Sequence, residues 1–320
     1  MSKENNKTTR PKIVVVGSSN TDMIIKINRI PRPGETVSGG TFSTAAGGKG
    51  ANQAVAAQRL GAYVTLVTAL GQDPLGDQAL QNFIAEGIDV RHVHRDATAA
   101  SGVAFIIVDA NGENSIAVAA GANSRLSPAQ VESAIDAIMA ADILLLQLEI
   151  PIAAVLRAIE ISREKGTLII LNPAPAPDFV IPDSLLAKVD LLTPNEWEAQ
   201  ALTGVAVHDE ASAHQAGQRL RSKGAATVLI TMGAQGVWME TPDEARRIAA
   251  YSVSAIDTTA AGDVFNAGLA VALAENKSLV EAVRFANAAA AISVTRLGAQ
   301  PSAPNREEVE RWLGEAAVKG

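Results

Sequence analysis

The sequence predicts an α/β fold, a doubly wound and mostly parallel sheet with helices on both faces, carrying a small β-sheet lid. Two observations support that expectation. Short apolar runs recur along the chain, separated by Ala- and Leu-rich stretches with helical spacing. Two further pairs of strand-like segments have no crossover helix between their members, so they belong to a separate antiparallel arrangement.

Ile13-Val-Val-Val-Gly17 reads as the first buried strand. Val64–Thr68, Ile143–Leu148, Leu168–Leu171, Leu191–Thr193 and Val228–Thr231 repeat its character, because strands covered on both faces need no polar alternation. Ala51–Leu60, Pro151–Lys165, Glu210–Lys223 and Ser278–Thr295 supply crossover helices. Met23–Asn28 with Glu35–Phe42, and Val103–Val108 with Ser115–Ala119 across the turn Asp109-Ala-Asn-Gly112, read as antiparallel pairs. The expected organisation is one domain over 12–316, lid excursions at 18–44 and 101–120, and a flexible tail over 1–11.

Composition narrows the function. With 48% hydrophobic residues in 320, core volume is not limiting. A net charge of -7 leaves no basic surplus to neutralise phosphates, so no nucleic-acid or membrane partner is expected. The absence of cysteine removes thiol nucleophiles and thiolate metal sites, and the four histidines form no ligand set. Met1–Lys12 lacks an apolar core, and the most apolar stretch, Ala137–Leu156, is broken by Asp142, Gln147 and Glu149. A soluble cytoplasmic protein is the expectation.

Neither Gly-x4-Gly-Lys-Ser/Thr nor Gly-x-Gly-x-x-Gly is present, so phosphate must be held in another way. Asp257-Thr-Thr-Ala-Ala-Gly-Asp263 leads into the apolar helical run Val264–Leu273. The amides of Ala260, Ala261, Gly262 and Asp263 would then be free at a helix N-terminus, forming an anion hole whose small side chains admit phosphate. Taken alone, the segment is an ordinary N-cap.

A second glycine-rich segment, Gly47-Gly-Lys-Gly-Ala-Asn-Gln53, precedes a helix. Together the two segments, in this order, resemble the signatures of the ribokinase-like (PfkB-type) carbohydrate kinases, and the likeness runs from about Lys12 to Trp312. The resemblance implies that Asp263 is the catalytic base taking a proton from a substrate hydroxyl, and that the N-terminal motif closes over a sugar. It also implies ATP-dependent phosphorylation of the O5 hydroxyl of D-ribose. Deoxyribose, fructose or a non-catalytic sugar-binding regulator are the alternatives.

The pocket residues are compatible with that chemistry. Asn20, Thr21 and Asp22 follow the first strand and Glu149 ends another, on the sheet edge where open α/β folds bind ligands. With Gly48, Lys49, Gly50, Ala51, Asn52 and Asp263 they make a sugar site rich in hydrogen-bond acceptors, suited to a neutral polyol and repellent to a phosphorylated one. A carboxylate at a helix N-terminus should be a weak base, so Asp263 is expected to ionise readily.

By resemblance, ATP is held by Asn195, by Thr231-Met-Gly-Ala-Gln-Gly236 (Thr231, Met232, Gly233, Ala234, Gln235, Gly236), by Gly262 and by Asn287. Glu198 would arrange Mg2+ through water. A K+ site is implied at Asp257, Thr259, Ser293, Arg296, Gly298 and Ser302, and a homodimer through the lid sheet.

Overall fold

A computed structural model describes residues 10–176 and 180–319, with side chains to 315. Most of the tail expected over 1–11 lies outside the described residues. The strands in chain order are β1 (Lys12–Val16), β2 (Asn20–Lys26), β3 (Thr41–Gly47), β4 (Tyr63–Gly71), β5 (Val93–Asp96), β6 (Gly102–Val108), β7 (Asn114–Ala119), β8 (Ile143–Leu146), β9 (Leu168–Leu171), β10 (Leu191–Leu192), β11 (Thr227–Thr231), β12 (Val237–Glu240) and β13 (Ala245–Ile248).

Among the described residues these strands form a nine-stranded sheet, ordered β13-β12-β11-β10-β9-β8-β1-β4-β5, and a four-stranded sheet, ordered β3-β2-β6-β7. The large sheet is parallel from β5 to β11 and antiparallel at its β12–β13 edge. Its strands divide their side chains between two cores. Ile13, Val15, Leu66 and Leu145 face the helices Lys49–Arg59, Ala261–Ala274 and Leu279–Ser293. Val14, Val16, Leu144 and Leu146 face Ile152–Lys165 and Glu210–Ser222. Burial on both faces is the physical reason the strands read as continuous apolar runs.

The small sheet departs from its expected pairing. The partner of β2 is Thr41–Gly47, with Asp22 opposite Ala45, and the segment 35–40 is not strand. Pairing stops at Lys26–Thr41 because Gly39 turns left-handed at φ 90°. Glu35 is committed instead to a local ion pair with Arg29. The two excursions join through a parallel β2–β6 pairing that sequence spacing could not reveal. Phe42 and Phe105 are exposed on the sheet face opposite Asp22, whereas Ile116 and Val118 are exposed on the face that carries it. No described helix is long and apolar enough to cross a membrane.

Candidate active site

Two backbone features set the entrance to the Lys49–Arg59 helix. Gly48 takes φ 87°, a conformation that a side chain would strain. Gly50 packs directly on the β1–β2 connection, so a Cβ there would stand 2.6 Å from the carbonyl carbon of Gly17 and from Ser18 N. The Ala51 amide donates to Ser18 O at 2.8 Å and closes the contact. This packing aims the next two side chains at one carboxylate: Asn52 Nδ2 donates to Asp263 Oδ2 at 2.9 Å and Gln53 Nε2 to Asp263 Oδ1 at 3.0 Å.

Asp263 lies in the first turn of the Ala261–Ala274 helix and is 5% exposed. Ala260 caps that helix in the left-handed region at φ 59°, unusual for a residue with a Cβ. The first helical bond runs from Val264 N to Ala260 O, so the amides of Gly262 and Asp263 lie ahead of it. The Ala261 amide is already donated to Thr258 O at 3.2 Å, which removes it from the expected set of four free donors. Thr258, Ala260, Gly262 and Asp263 border a cleft of about 210 Å3 whose far wall is Asn195, Glu198 and Thr231. Burial pushes the Asp263 carboxyl above the ordinary range, against the pull of Lys49, Asn52 and Gln53. Desolvation thus opposes the helix N-terminus, which was expected to keep Asp263 a weak base.

On the sheet side of Asp263, Glu149 accepts from Ser18 Oγ at 2.5 Å and from Lys49 N at 3.0 Å. Asn20 is 8% exposed, and its Oδ1 accepts from Asn123 Nδ2 at 2.8 Å. The Lys49 ammonium stands among Asp263, Glu149, Glu198 and Asp22. Burial lowers its pKa, but the four acids together raise it above the ordinary value. Asn20, Asp22, Glu149 and Lys49 thus come together as the sequence suggests. Strand alternation turns the Thr21 side chain to the face opposite Asp22, where it borders a cavity that Asn20, Phe83 and Gln300 also line. Ala51 is fully buried in the core.

On the far wall of the cleft, Asn195 and Glu198 form a reciprocal helix cap, with Glu198 Oε2 accepting Asn195 N at 2.9 Å and Asn195 Oδ1 accepting Glu198 N at 2.8 Å. Burial raises the Glu198 pKa despite that cap and Lys49. A buried acid on the wall of a phosphate-sized cleft suits a hydrated divalent cation, which would restore its charged form. Thr231 reaches the cleft, but the Met232 side chain is buried in the core, leaving only its backbone to face outward. Gly233–Gln235 is a short 3-10 turn, and Asn287 Nδ2 donates to Ala249 O at 3.1 Å.

The loop before Ala260 is tied to the far end of the Leu279–Ser293 helix. Asp257 Oδ2 accepts Gly298 N at 2.8 Å, and Oδ1 accepts Thr259 N at 2.9 Å. Burial raises the Asp257 pKa, but the bonds from Thr259 and Gly298 hold it below the ordinary value. A charged acid beside the frayed carbonyls of a helix C-terminus suits a monovalent cation. Within the expected ligand set, the Ser293 carbonyl already accepts Arg296 N at 3.0 Å and the Ser302 hydroxyl donates to Ala299 O at 2.7 Å, so each offers only its remaining lone pairs.

Sequence reasoning passed over Ser18, Gln53, Asn123, Asn172, Thr193 and Asn266. Asn172 Nδ2 donates to Thr193 O at 3.0 Å, Thr193 Oγ1 to Asn266 Oδ1 at 2.6 Å, and Asn266 Nδ2 to Gly262 O at 2.8 Å. Gln53 and Asn266 stand inside or next to the two motifs, a signal that was available. Asn123 and Asn172 carry no local pattern that marks them.

One pH effect follows from the acid cluster. Burial, then the charges of Glu149 and Asp263, raise Asp22 from 3.8 to about 6 against the pull of Lys49. Its folded pKa exceeds its unfolded one, so ionising Asp22 costs stability as pH rises from 3.8 through about 6. Asp22→Asn is expected to raise stability at pH 7 by up to roughly 3 kcal/mol. If Asp22 accepts hydroxyl donors of a substrate it must be in the carboxylate form, so KM for that substrate should climb as pH falls below about 6 in the unaltered protein. That limb should flatten in Asp22→Asn. Steady-state kinetics across pH 5–8 would discard the assignment if both proteins gave the same profile.

A family model described as pfkB family carbohydrate kinase matches residues 10–315. The ribokinase of Haemophilus influenzae is 47% identical over 96% of this chain and 100% of its own length. A deoxyribokinase of Salmonella typhimurium is 36% identical over 94% of this chain and 98% of its own. The solved structure of Arabidopsis thaliana ribokinase complexed with ribose and ATP matches at a TM-score of 0.89 and 34% identity, covering 95% of this chain and 99% of that one.

Proposed function

This chain belongs to the pfkB family of carbohydrate kinases and is a sugar kinase; from that premise we propose that it transfers the γ-phosphoryl group of ATP to the O5 hydroxyl of D-ribose, giving D-ribose 5-phosphate and ADP. The observation that carries this reading is the position of Asp263. Its carboxylate, gripped through both oxygens by Asn52 and Gln53, stands between the Asp22–Glu149 acceptor cluster and the cleft that the 258–263 loop borders.

Ribose hydroxyls donate to Asp22 and Glu149 and bond to Asn20, which orients O5 toward Asp263. Asp263 accepts the O5 proton as the O5–phosphorus bond forms and the bond from phosphorus to the bridging oxygen of ADP breaks. A proton that moves late in a loose transition state makes little demand on the strength of that base. The Gly262 and Asp263 amides meet charge on the transferring group, a contribution of about 3 kcal/mol per donor in comparable sites. Mg2+ fits beside Glu198, where it would neutralise charge on the ATP phosphates. K+ fits beside Asp257, where it would hold the 257–263 loop in shape. The small sheet acts as a lid over the sugar, and its exposed apolar faces support pairing of two lids in a homodimer.

An ADP-coupled assay over D-ribose, 2-deoxy-D-ribose and D-fructose tests the substrate. D-Ribose should give the highest kcat/KM, and replacing K+ by Na+ should lower the rate. A higher kcat/KM with deoxyribose or fructose would reassign the sugar, and equal rates in the two salts would take the cation out of the mechanism. Sedimentation of a single-chain mass at micromolar concentration would remove the dimer.

A further inference from the structure

Resting on the assignment of Asp263 as base, we propose that Gln53 is a positioning residue, locked by a chain of buried amides so that it presents a donor and never an acceptor to Asp263. Gln53 is fully buried, with Nε2 3.0 Å from Asp263 Oδ1 and 3.3 Å from Asn172 Oδ1. Its Oε1 accepts from Gln147 Nε2 at 2.5 Å. A side-chain amide is nearly symmetric in shape, and half a turn would set its carbonyl oxygen against the carboxylate.

The polarity is imposed from the far end. Thr193 O is a backbone carbonyl and can only accept, so Asn172 must turn Nδ2 toward it, at 3.0 Å. Asn172 Oδ1 then faces Gln53 and demands Nε2, which leaves Gln53 Oε1 facing Gln147 and demands Nε2 in turn. The chain ends on Gln147 Oε1, which has no hydrogen-bond partner among the described residues. Reversing all three amides would set Asn172 Oδ1 against Thr193 O and Gln53 Oε1 against Asp263. Two acceptor–acceptor contacts cost more than one orphaned acceptor, so the observed polarity prevails.

The lock keeps one donor on each Asp263 oxygen. Those two bonds favour the ionised form that burial disfavours. The same chain joins Thr193 to Asn266 and Asn266 to Gly262, so the base and the phosphate-facing loop share one frame.

Gln53→Met keeps the side-chain length and removes the donor. In the full chain with D-ribose and ATP it should lower kcat about tenfold and move the acidic limb of the kcat–pH profile up by about one unit, the effect of one lost bond to a charged group. Both KM values should stay within about twofold. Gln147→Met touches neither Asp263 nor the cleft, yet should move kcat and the limb in the same direction by a smaller amount, and should add little to Gln53→Met. The lock is overturned if the folded variants keep wild-type kcat and an unshifted limb, or if kcat falls with the limb unmoved, the mark of a packing role. The base assignment is judged separately by Asp263→Asn: an active Asp263→Asn removes the base, whereas an inactive one beside unaffected Gln53 and Gln147 variants removes only the lock.

Discussion

Asp263→Asn is expected to lower kcat by about 10²–10⁴-fold while KM for both substrates and the fold are retained. Asparagine matches the carboxylate in shape but cannot accept the proton of a sugar hydroxyl. The position is 5% exposed, so the substitution also deletes a buried charge, which offsets the mismatch its amide makes with one of the two donors, Asn52 and Gln53. Thermal unfolding should therefore occur within a few degrees of the unaltered protein. A folded Asp263→Asn protein turning over within tenfold of wild type would remove Asp263 from the chemistry. Two donors and a helix N-terminus on a carboxylate would then be no more than an elaborate cap.

Gly50→Ala should be a severely damaging single-methyl change in the site. The added Cβ meets backbone rather than a flexible side chain, at 2.6 Å from Gly17 C and Ser18 N, and that backbone is itself held by Gly17 N to Val67 O at 3.1 Å. Relief requires the start of the Lys49–Arg59 helix to move. Overpacking of this kind costs about 1–3 kcal/mol, several degrees of Tm. Function should suffer more, because Asn52, Gln53 and the Lys49 amide leave Asp263 and Glu149 together, and misplacement by about 1 Å is worth roughly 10²-fold in kcat/KM. Gly314→Ala is the control: a Cβ there meets nothing within 4 Å, and helix propensity predicts a small gain in stability. Equal behaviour of the two variants in calorimetry and kinetics would mean that the Gly17–Gly50 contact does not set the geometry.

The parts legible in the sequence share a local origin. Val14 and Val16 read as strand because both faces of β1 are covered, and the 257–263 segment read as an anion loop because small residues precede an apolar helix. The 47–53 segment marked the other half of the site for the same reason, since glycine at a helix entrance is visible wherever it occurs. What was misread depended on partners distant in sequence. Thr21 sits next to Asp22 in the chain, yet pleating alone sends it to the other face. The segment 35–40 carries strand-like residues, but the geometry at Gly39 and the Arg29–Glu35 pair take it out of the sheet.

By itself the sequence marked six strands of the large sheet, several crossover helices and the two motifs, because periodicity and glycine placement are written over a few neighbouring residues, and the motifs' resemblance singled out Asp263 as the candidate base. The tertiary structure decided how deeply Asp263 is buried, which amides at the start of its helix remain unpaired, and which way the Gln53 amide points. Each of these depends on desolvation and hydrogen bonds supplied by segments far apart in the chain, such as Gln53 and Asp263 at a separation of 210 residues, and those terms have no value until the segments meet.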